Sequence, residues 1–518
     1  MTRLDCPHHP SQGGACPGCG LLDLAYAQQL EVKRQRLVAA LALYPHLALP
    51  PVEPIVAAAH TAAYRHRLKL PVHVEAAGGH VRVGLYGAQH EVLDTQDCPV
   101  LTEPLRALLK PIVRWLAGRD GVHSIDLRVS QATGQGMVVF ACRGGELPGG
   151  PRAARALLRE VPALATVAVS RADRAGKRVM GSAPRVLAGP PHLEERIGET
   201  RYQLHPGAFF QIDPRQAIAI HGLVREMVGA APRVLDLYAG VGAYGLMLAP
   251  GRERVLLVEE VPEAAAAARA VAPSNVEVTP AKVQDVAFEG AWDAAVLNPA
   301  RRGSDPATLA TLARLVPRAV YVSCGPETLA RDLDCLAAHG LRAARIVPVD
   351  LFPQTPEVEA VVELQRGPAL ETWRGGALRG PWRAGVAGQS KGATAFSGAT
   401  GQPREVLVLA VGRTRERGTL EGSHYERLGE VATHSLLRLR VKGRLGRALA
   451  RLRALGHPIA GEDPRTAPFF AERAGLVRPF VHVESDERTQ GAPLHGDLAQ
   501  ALTHLGGVKR GRGRRGSS

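Results

Sequence analysis

The chain has 518 residues, with 64 Lys and Arg against 49 Asp and Glu, a formal net charge of +15 and a sequence pI near 9.9. That cation excess suits a polyanionic partner, and the length leaves room for several domains with an ample core. Seven cysteines without a charged, apolar and small-residue leader argue against a disulfide framework and for a reducing cytoplasm, and no apolar run approaches the roughly 20 residues of a membrane span.

The first region, residues 1–65, opens with Cys6-Pro-His-His-Pro-Ser-Gln-Gly-Gly-Ala-Cys16-Pro-Gly-Cys19-Gly, and Cys98 follows far downstream in Asp97-Cys-Pro. Four thiolates suit an iron-sulfur cluster, whereas Cys-Pro-Gly-Cys-Gly with His8 and His9 beside it suits tetrahedral zinc. Residues Leu22 to Leu43 carry a helical pattern. From 66 to 190, short strand-like runs alternate with Gly and Pro turns, giving an α+β module. Tyr64-Arg-His-Arg-Leu-Lys69 at its start, basic with one aromatic, reads either as an element facing a polyanion or as a solvated edge strand guarded by its charges.

Residues 191–365 alternate strands and helices, as in a Rossmann-like parallel sheet. Arg233-Val-Leu-Asp236-Leu-Tyr238-Ala-Gly240-Val-Gly242 is a strand running into a glycine loop. The next strand, Val255 to Val258, ends in Glu259, about 20 residues past the glycines, where such sheets place a ribose-binding carboxylate. The alanine-rich run Ala264 to Ala272 is expected as a covering helix. A third strand ends in Asn298-Pro-Ala-Arg301-Arg302-Gly, and a fourth in Cys324, with Gly325 and Pro326 opening a helix. A thiol at a helix N-terminus is expected to have a lowered pKa, since the dipole favours the thiolate.

In order along the chain, Ala208-Phe-Phe-Gln211-Ile-Asp, the Asp236 glycine loop, Asn298-Pro-Ala-Arg-Arg-Gly, Tyr321-Val-Ser-Cys-Gly-Pro-Glu-Thr-Leu-Ala-Arg-Asp and Asp350-Leu-Phe-Pro-Gln-Thr-Pro-Glu-Val-Glu359 resemble the motifs of S-adenosylmethionine-dependent RNA uracil-C5 methyltransferases. The resemblance covers about the first 365 residues. Its Asn form at 298 resembles the RlmC type, which modifies 23S ribosomal RNA. It implies that Cys324 attacks uracil C6 and that Glu359 removes the C5 proton. It also implies that Gln211, Tyr238, Gly240, Glu259 and Asn298 bind S-adenosylmethionine, and that Cys6, Cys16, Cys19 and Cys98 hold a [4Fe-4S] cluster, zinc being the alternative. Arg301 and Arg302 are candidates for RNA phosphate. Two departures stand out: Glu357 replaces a His common two residues before the base, which is expected to raise the pKa of Glu359, and Lys282 replaces an acidic residue usual in the family.

Residues 366–404 are rich in Gly, Arg, Ser and Ala and read as a linker or eroded segment. From 405 to 507, Tyr425-Glu-Arg-Leu, Ser435-Leu-Leu-Arg-Leu-Arg-Val, Leu455-Gly-His-Pro-Ile-Ala-Gly and Leu476-Val-Arg-Pro-Phe-Val-His resemble RluA-type pseudouridine synthases, without that family's nucleophilic Asp motif. The module is therefore expected to be degenerate. A basic tail, 508–518, completes the chain. The expectation is a monomeric α/β enzyme that methylates uridine C5 in 23S ribosomal RNA. The alternatives are a transfer-RNA methyltransferase and a catalytically silent RNA-binding or assembly protein.

Overall fold

The computed structural model describes residues 4–42, 44, 47–75, 80–172 and 184–370, and the backbones of six strands between 404 and 490. Two compact units emerge, one of residues 1–37 and 47–370, the other of 38–46 and 371–518. The expected linker falls almost wholly outside the described residues, as do the motifs at 455 and 476 and the basic tail.

The N-terminal helix α1 (Tyr26–Ala42) starts four residues later than its pattern suggested. The preceding turn is committed elsewhere: Leu22 N–H bonds Cys19 C=O at 3.1 Å and Leu21 N–H bonds Gln354 C=O at 2.9 Å.

The α+β module consists of β1 (Arg67–Val74), β2 (Val81–Val83), α2 (Glu103–Leu116), β3 (Val122–Val129), β4 (Gly136–Cys142), α3 (Gly150–Glu160), β5 (Leu164–Arg171) and β6 (Arg185–Ala188). Its sheet order is β2-β1-β3-β4-β5-β6. Helices α2 and α3 contribute Leu105, Leu109, Ile112 and Leu157 to a core shared with Leu127, Phe140 and Val167, so burying one sheet face drives assembly. β1 pairs with β3 over residues 67–71 and with β2 only over 72–74, so its basic start is an edge, but Tyr64, His66 and Arg67 are buried there rather than solvated. Tyr64 is fully buried and donates to Pro353 C=O at 3.0 Å, while buried Arg67 makes a two-pronged pair with Asp126 at 2.8 and 2.5 Å. These side chains serve packing.

A hairpin of β7 (Leu193–Ile197) and β8 (Thr200–Leu204) leads to α4 (Pro214–Val228), which Asp213 caps by accepting from Arg215 N–H. There follow β9 (Arg233–Leu237), α5 (Gly245–Leu248), β10 (Arg254–Glu259), α6 (Pro262–Val271) and β11 (Val276–Pro280). The order continues with β12 (Ala294–Leu297), α7 (Pro306–Leu315), β13 (Arg318–Ser323), α8 (Pro326–Ala338), β14 (Leu341–Val349) and β15 (Glu359–Arg366). The alanine-rich run is thus α6, as expected. The seven strands lie in the order β11-β10-β9-β12-β13-β15-β14, with β15 antiparallel to both neighbours. The continuous apolar runs of β9, β10, β12 and β13 match strands covered on both faces.

In the second unit, β16 (Arg404–Val411), β17 (Arg417–Leu420), β18 (Ser423–Val431), β19 (His434–Val441), β20 (Val481–Asp486) and β21 (Thr489–Gln490) form an antiparallel sheet ordered β17-β18-β19-β16-β20-β21. The Tyr425 and Ser435 motifs lie on β18 and β19.

Candidate active site

Reversal of strand order between β9 and β12 opens a crevice at the carboxyl edge of the parallel strands, the usual ligand position in such sheets. Tyr238 follows β9, Glu259 ends β10, Asn298 follows β12 and Cys324 follows β13. Because β15 runs the other way, its first residue, Glu359, reaches the same edge.

The glycine loop is held from within. Gly240 and Gly242 have φ of +58° and +83°, and a side chain at Gly242 would meet Leu246 and Leu257 within 3 Å. A Cβ on Gly240 would meet nothing within 4 Å, so the loop faces open space. Glu259 accepts from Gly240 N–H at 2.7 Å and Val261 N–H at 2.8 Å. Those bonds leave lone pairs on both oxygens for ribose hydroxyls. Beneath the loop, fully buried Asp236 accepts from Gly245 N–H at 2.6 Å, and burial pushes its carboxyl up to about 7.

Tyr238 takes φ +61°, an unfavourable backbone for an aromatic residue. Its hydroxyl is paired with Ser304 Oγ at 2.6 Å, Ser304 N–H donates to Asp332 at 2.8 Å, and Tyr321 donates to the same Asp332 oxygen at 2.6 Å. The buried Tyr244 hydroxyl is pushed upward by burial first and then by the Glu359 charge, with Gln211 opposing. Asn298 is half-buried, with its N–H toward Leu237 C=O at 3.4 Å. Exposed Lys282 leads into a short turn, Val283–Asp285. Of the residues expected to hold S-adenosylmethionine, Tyr238, Gly240, Glu259 and Asn298 share one edge around an open loop, and their donor set fits an adenosine-bearing cation.

Cys324 is half-buried, and its pKa departs from expectation. Burial and then the nearby Glu359 carboxyl raise it, outweighing a hydrogen bond and opposite charge from Arg301. The dipole argument considered only the helix, whereas burial and a facing carboxyl act more strongly. Glu359 is buried and pushed up to about 8, chiefly by desolvation, with Arg301 opposing and Glu357 adding to the rise. Glu357 thus acts in the expected direction, though burial is the larger cause. Arg301 Nη2 lies 3.5 Å from Glu357, and the exposed Arg302 points its carbonyl to Arg331 at 2.9 Å.

The sequence did not single out Ser304, Tyr244, Asp332 or Arg36. Asp332 closes the Tyr321 motif and takes the hydroxyl of that same tyrosine, Ser304 and Tyr244 act through partners farther along the chain, and Arg36 reaches Glu357 at 3.6 Å from a helix more than 300 positions away.

Cys6, Cys16, Cys19 and Cys98 converge: their mutual repulsion, after burial, pushes Cys19 up to about 12 and raises Cys16 and Cys98. Among the described residues no three His, Cys, Asp or Glu side chains are arranged to hold a metal ion, so the expected cluster is not shown. No helix among them is long and apolar enough to cross a membrane.

Comparison with known proteins bears on this geometry. The family model for tRNA (uracil-5-)-methyltransferase matches residues 281–367, the stretch holding Asn298, Cys324 and Glu359. An uncharacterized RNA methyltransferase of Thermosynechococcus vestitus is 34% identical over 67% of this chain and 82% of its own length. One of Gloeobacter violaceus is 33% identical over 68% and 81%. The crystal structure of Pyrococcus abyssi tRNA (uracil-54, C5)-methyltransferase in complex with S-adenosyl-L-homocysteine is similar at a TM-score of 0.55 and 27% identity, covering 68% of this chain and 86% of that one. With the seven-stranded sheet and the glycine loop at its edge, these likenesses establish that the chain belongs to the S-adenosylmethionine-dependent RNA uracil-5-methyltransferase family.

Proposed function

We propose that the protein methylates C5 of a uridine in 23S ribosomal RNA, with Cys324 as nucleophile and Glu359 as base. The observation that carries this reading is the meeting of thiol, carboxyl and Arg301 guanidinium at one sheet edge.

Uracil C5 is a poor nucleophile. Attack of the Cys324 thiolate on C6 forms a C–S bond and moves the C5–C6 π electrons toward O4, giving an enolate nucleophilic at C5. Bound by Gln211, Tyr238, Gly240, Glu259 and Asn298, S-adenosylmethionine supplies the methyl group. Glu359 then takes the C5 proton, the C5–C6 double bond re-forms, and the thiolate leaves. Glu359 must be ionised for that step, and its high proton affinity makes it a stronger base there than an ordinary carboxylate. Arg301 favours the thiolate from the other side.

The Pyrococcus abyssi likeness favours transfer RNA as a second reading. Mapping 5-methyluridine in ribosomal and transfer RNA with and without the gene separates the two: loss from 23S RNA alone supports the proposal, and loss from transfer RNA overturns it. We also propose that Cys6, Cys16, Cys19 and Cys98 hold a [4Fe-4S] cluster of structural role, which their convergence near one another supports. The 405–507 region is proposed as a degenerate RluA-like module that aids RNA binding.

A further inference from the structure

Arg301 is 69% exposed, yet its charge acts on both Cys324 and Glu359. A long exposed side chain left to itself would sample many rotamers, so something must restrain it. Its carboxylate partner is Glu357 at 3.5 Å. Glu357 is itself held: Arg36 on α1 approaches it at 3.6 Å, donates to Pro356 C=O at 3.0 Å, and lies 3.6 Å from Glu327 in the first turn of α8. Glu327, Arg36, Glu357 and Arg301 thus form a chain of alternating charge that joins α8, α1, the segment before β15 and the turn after β12.

We propose that Glu357 is a positioning residue, anchored by Arg36, that holds the Arg301 guanidinium against the Cys324 thiol. It touches none of the reacting atoms and acts through Arg301. Individually such half-exposed pairs are weak, but four alternating charges share the cost of ordering each other.

The groups facing the thiol make this testable. Cys324 feels Glu359 from β15 and Arg301 from the turn after β12. Glu359, by contrast, feels both Arg301 and Glu357. Replacing Glu357 by Gln therefore has opposite consequences under two accounts. If Glu357 only adds negative charge, its removal leaves the thiol unchanged or makes it more acidic. If it positions Arg301, its removal frees the guanidinium and makes the thiol less acidic.

The inference rests on the reading of Cys324 as nucleophile, but its test reads thiol acidity rather than methyl transfer. The full-length protein is alkylated with iodoacetamide across a pH series, and the Cys324 peptide is followed by mass spectrometry. E357Q and R301Q are each expected to slow alkylation about threefold to tenfold below the midpoint, moving the midpoint up by roughly half to one pH unit. R36Q should give a smaller change in the same direction. In an R301Q background, E357Q should add nothing, because the group it positions is gone. E357D, which keeps the charge, should recover part of the effect. An unchanged or lowered midpoint in E357Q, or a full effect that persists in R301Q, overturns the proposal. Loss of methylation with an unshifted midpoint would likewise overturn it while leaving the role of Cys324 intact.

Discussion

Ser323 pairs with Ala360 across the antiparallel β13–β15 ladder, so Cys324 and Glu359 occupy the next register position at the sheet edge. Two backbone strands thereby set the spacing of thiol and carboxyl, with no loop between either side chain and its strand. Sites built on strand ends hold their geometry better than sites on free loops.

The first prediction concerns pH. Glu359 must be ionised to accept the C5 proton, and its folded value is raised from 4.5 to about 8. Breakdown of the covalent adduct should therefore accelerate with pH from about 6 to about 9 in single-turnover measurements. The sign for stability follows from the same shift: this group's contribution is complete below 4.5 and falls until pH passes about 8. Glu359→Gln should accumulate adduct with normal RNA, yet at alkaline pH be on the order of 2 kcal/mol more stable than the parent. A pH-independent breakdown rate would remove Glu359 from the role of base.

A second prediction concerns the ion pair beneath the segment before β15. Lys33 Nζ and Asp350 Oδ1 lie 2.5 Å apart, both fully buried, with Tyr26 donating to the other carboxylate oxygen at 2.9 Å. Lys33→Met leaves the Asp350 charge without its ammonium and should cost about 3 to 5 kcal/mol in urea unfolding. A loss under about 1 kcal/mol would show that the pair is not desolvated as described.

Gly245 supplies a third test. A Cβ there would lie 2.6 Å from Leu257 Cδ1 and 3.0 Å from Asp236 Oδ2, in the wall under the glycine loop. Gly245→Ala should destabilise the protein by about 1 to 3 kcal/mol and weaken S-adenosylmethionine binding, measured by calorimetry. Unchanged affinity would place the ligand away from this loop.

The cysteine quartet gives the fourth. Protein purified without oxygen should be brown and contain iron and acid-labile sulfide, and Cys98→Ser should lose both. One zinc per chain with no visible absorbance would replace the cluster by a zinc site.

Much of this site was legible in the sequence because its residues sit beside local signals. Tyr238, Glu259, Asn298 and Cys324 each close an apolar strand run, and strand ends meet at one edge in a doubly wound sheet. What was not legible depends on partners far apart in the chain. Gln29 meets Gln354 at 2.8 Å and Lys33 meets Asp350, each across more than 300 positions, with nothing in either helix or loop to announce it. Arg67 looked solvated because its strand was basic, but Asp126 on the neighbouring strand neutralises it in the interior. The direction of the Cys324 shift is hidden for the same reason: the helix start is local, whereas burial, the larger cause, and Glu359, 35 residues away, come only with the folded sheet.

The central claim is that Cys324 bonds covalently to uracil C6, and RNA carrying 5-fluorouridine tests it most directly, because fluorine at C5 cannot leave as a proton. With S-adenosylmethionine present, the full-length protein should form an adduct that survives denaturing electrophoresis, with mass spectrometry placing the nucleotide on Cys324. Cys324→Ala should form none. An adduct that persists in Cys324→Ala, or one mapped to any other cysteine, contradicts the account.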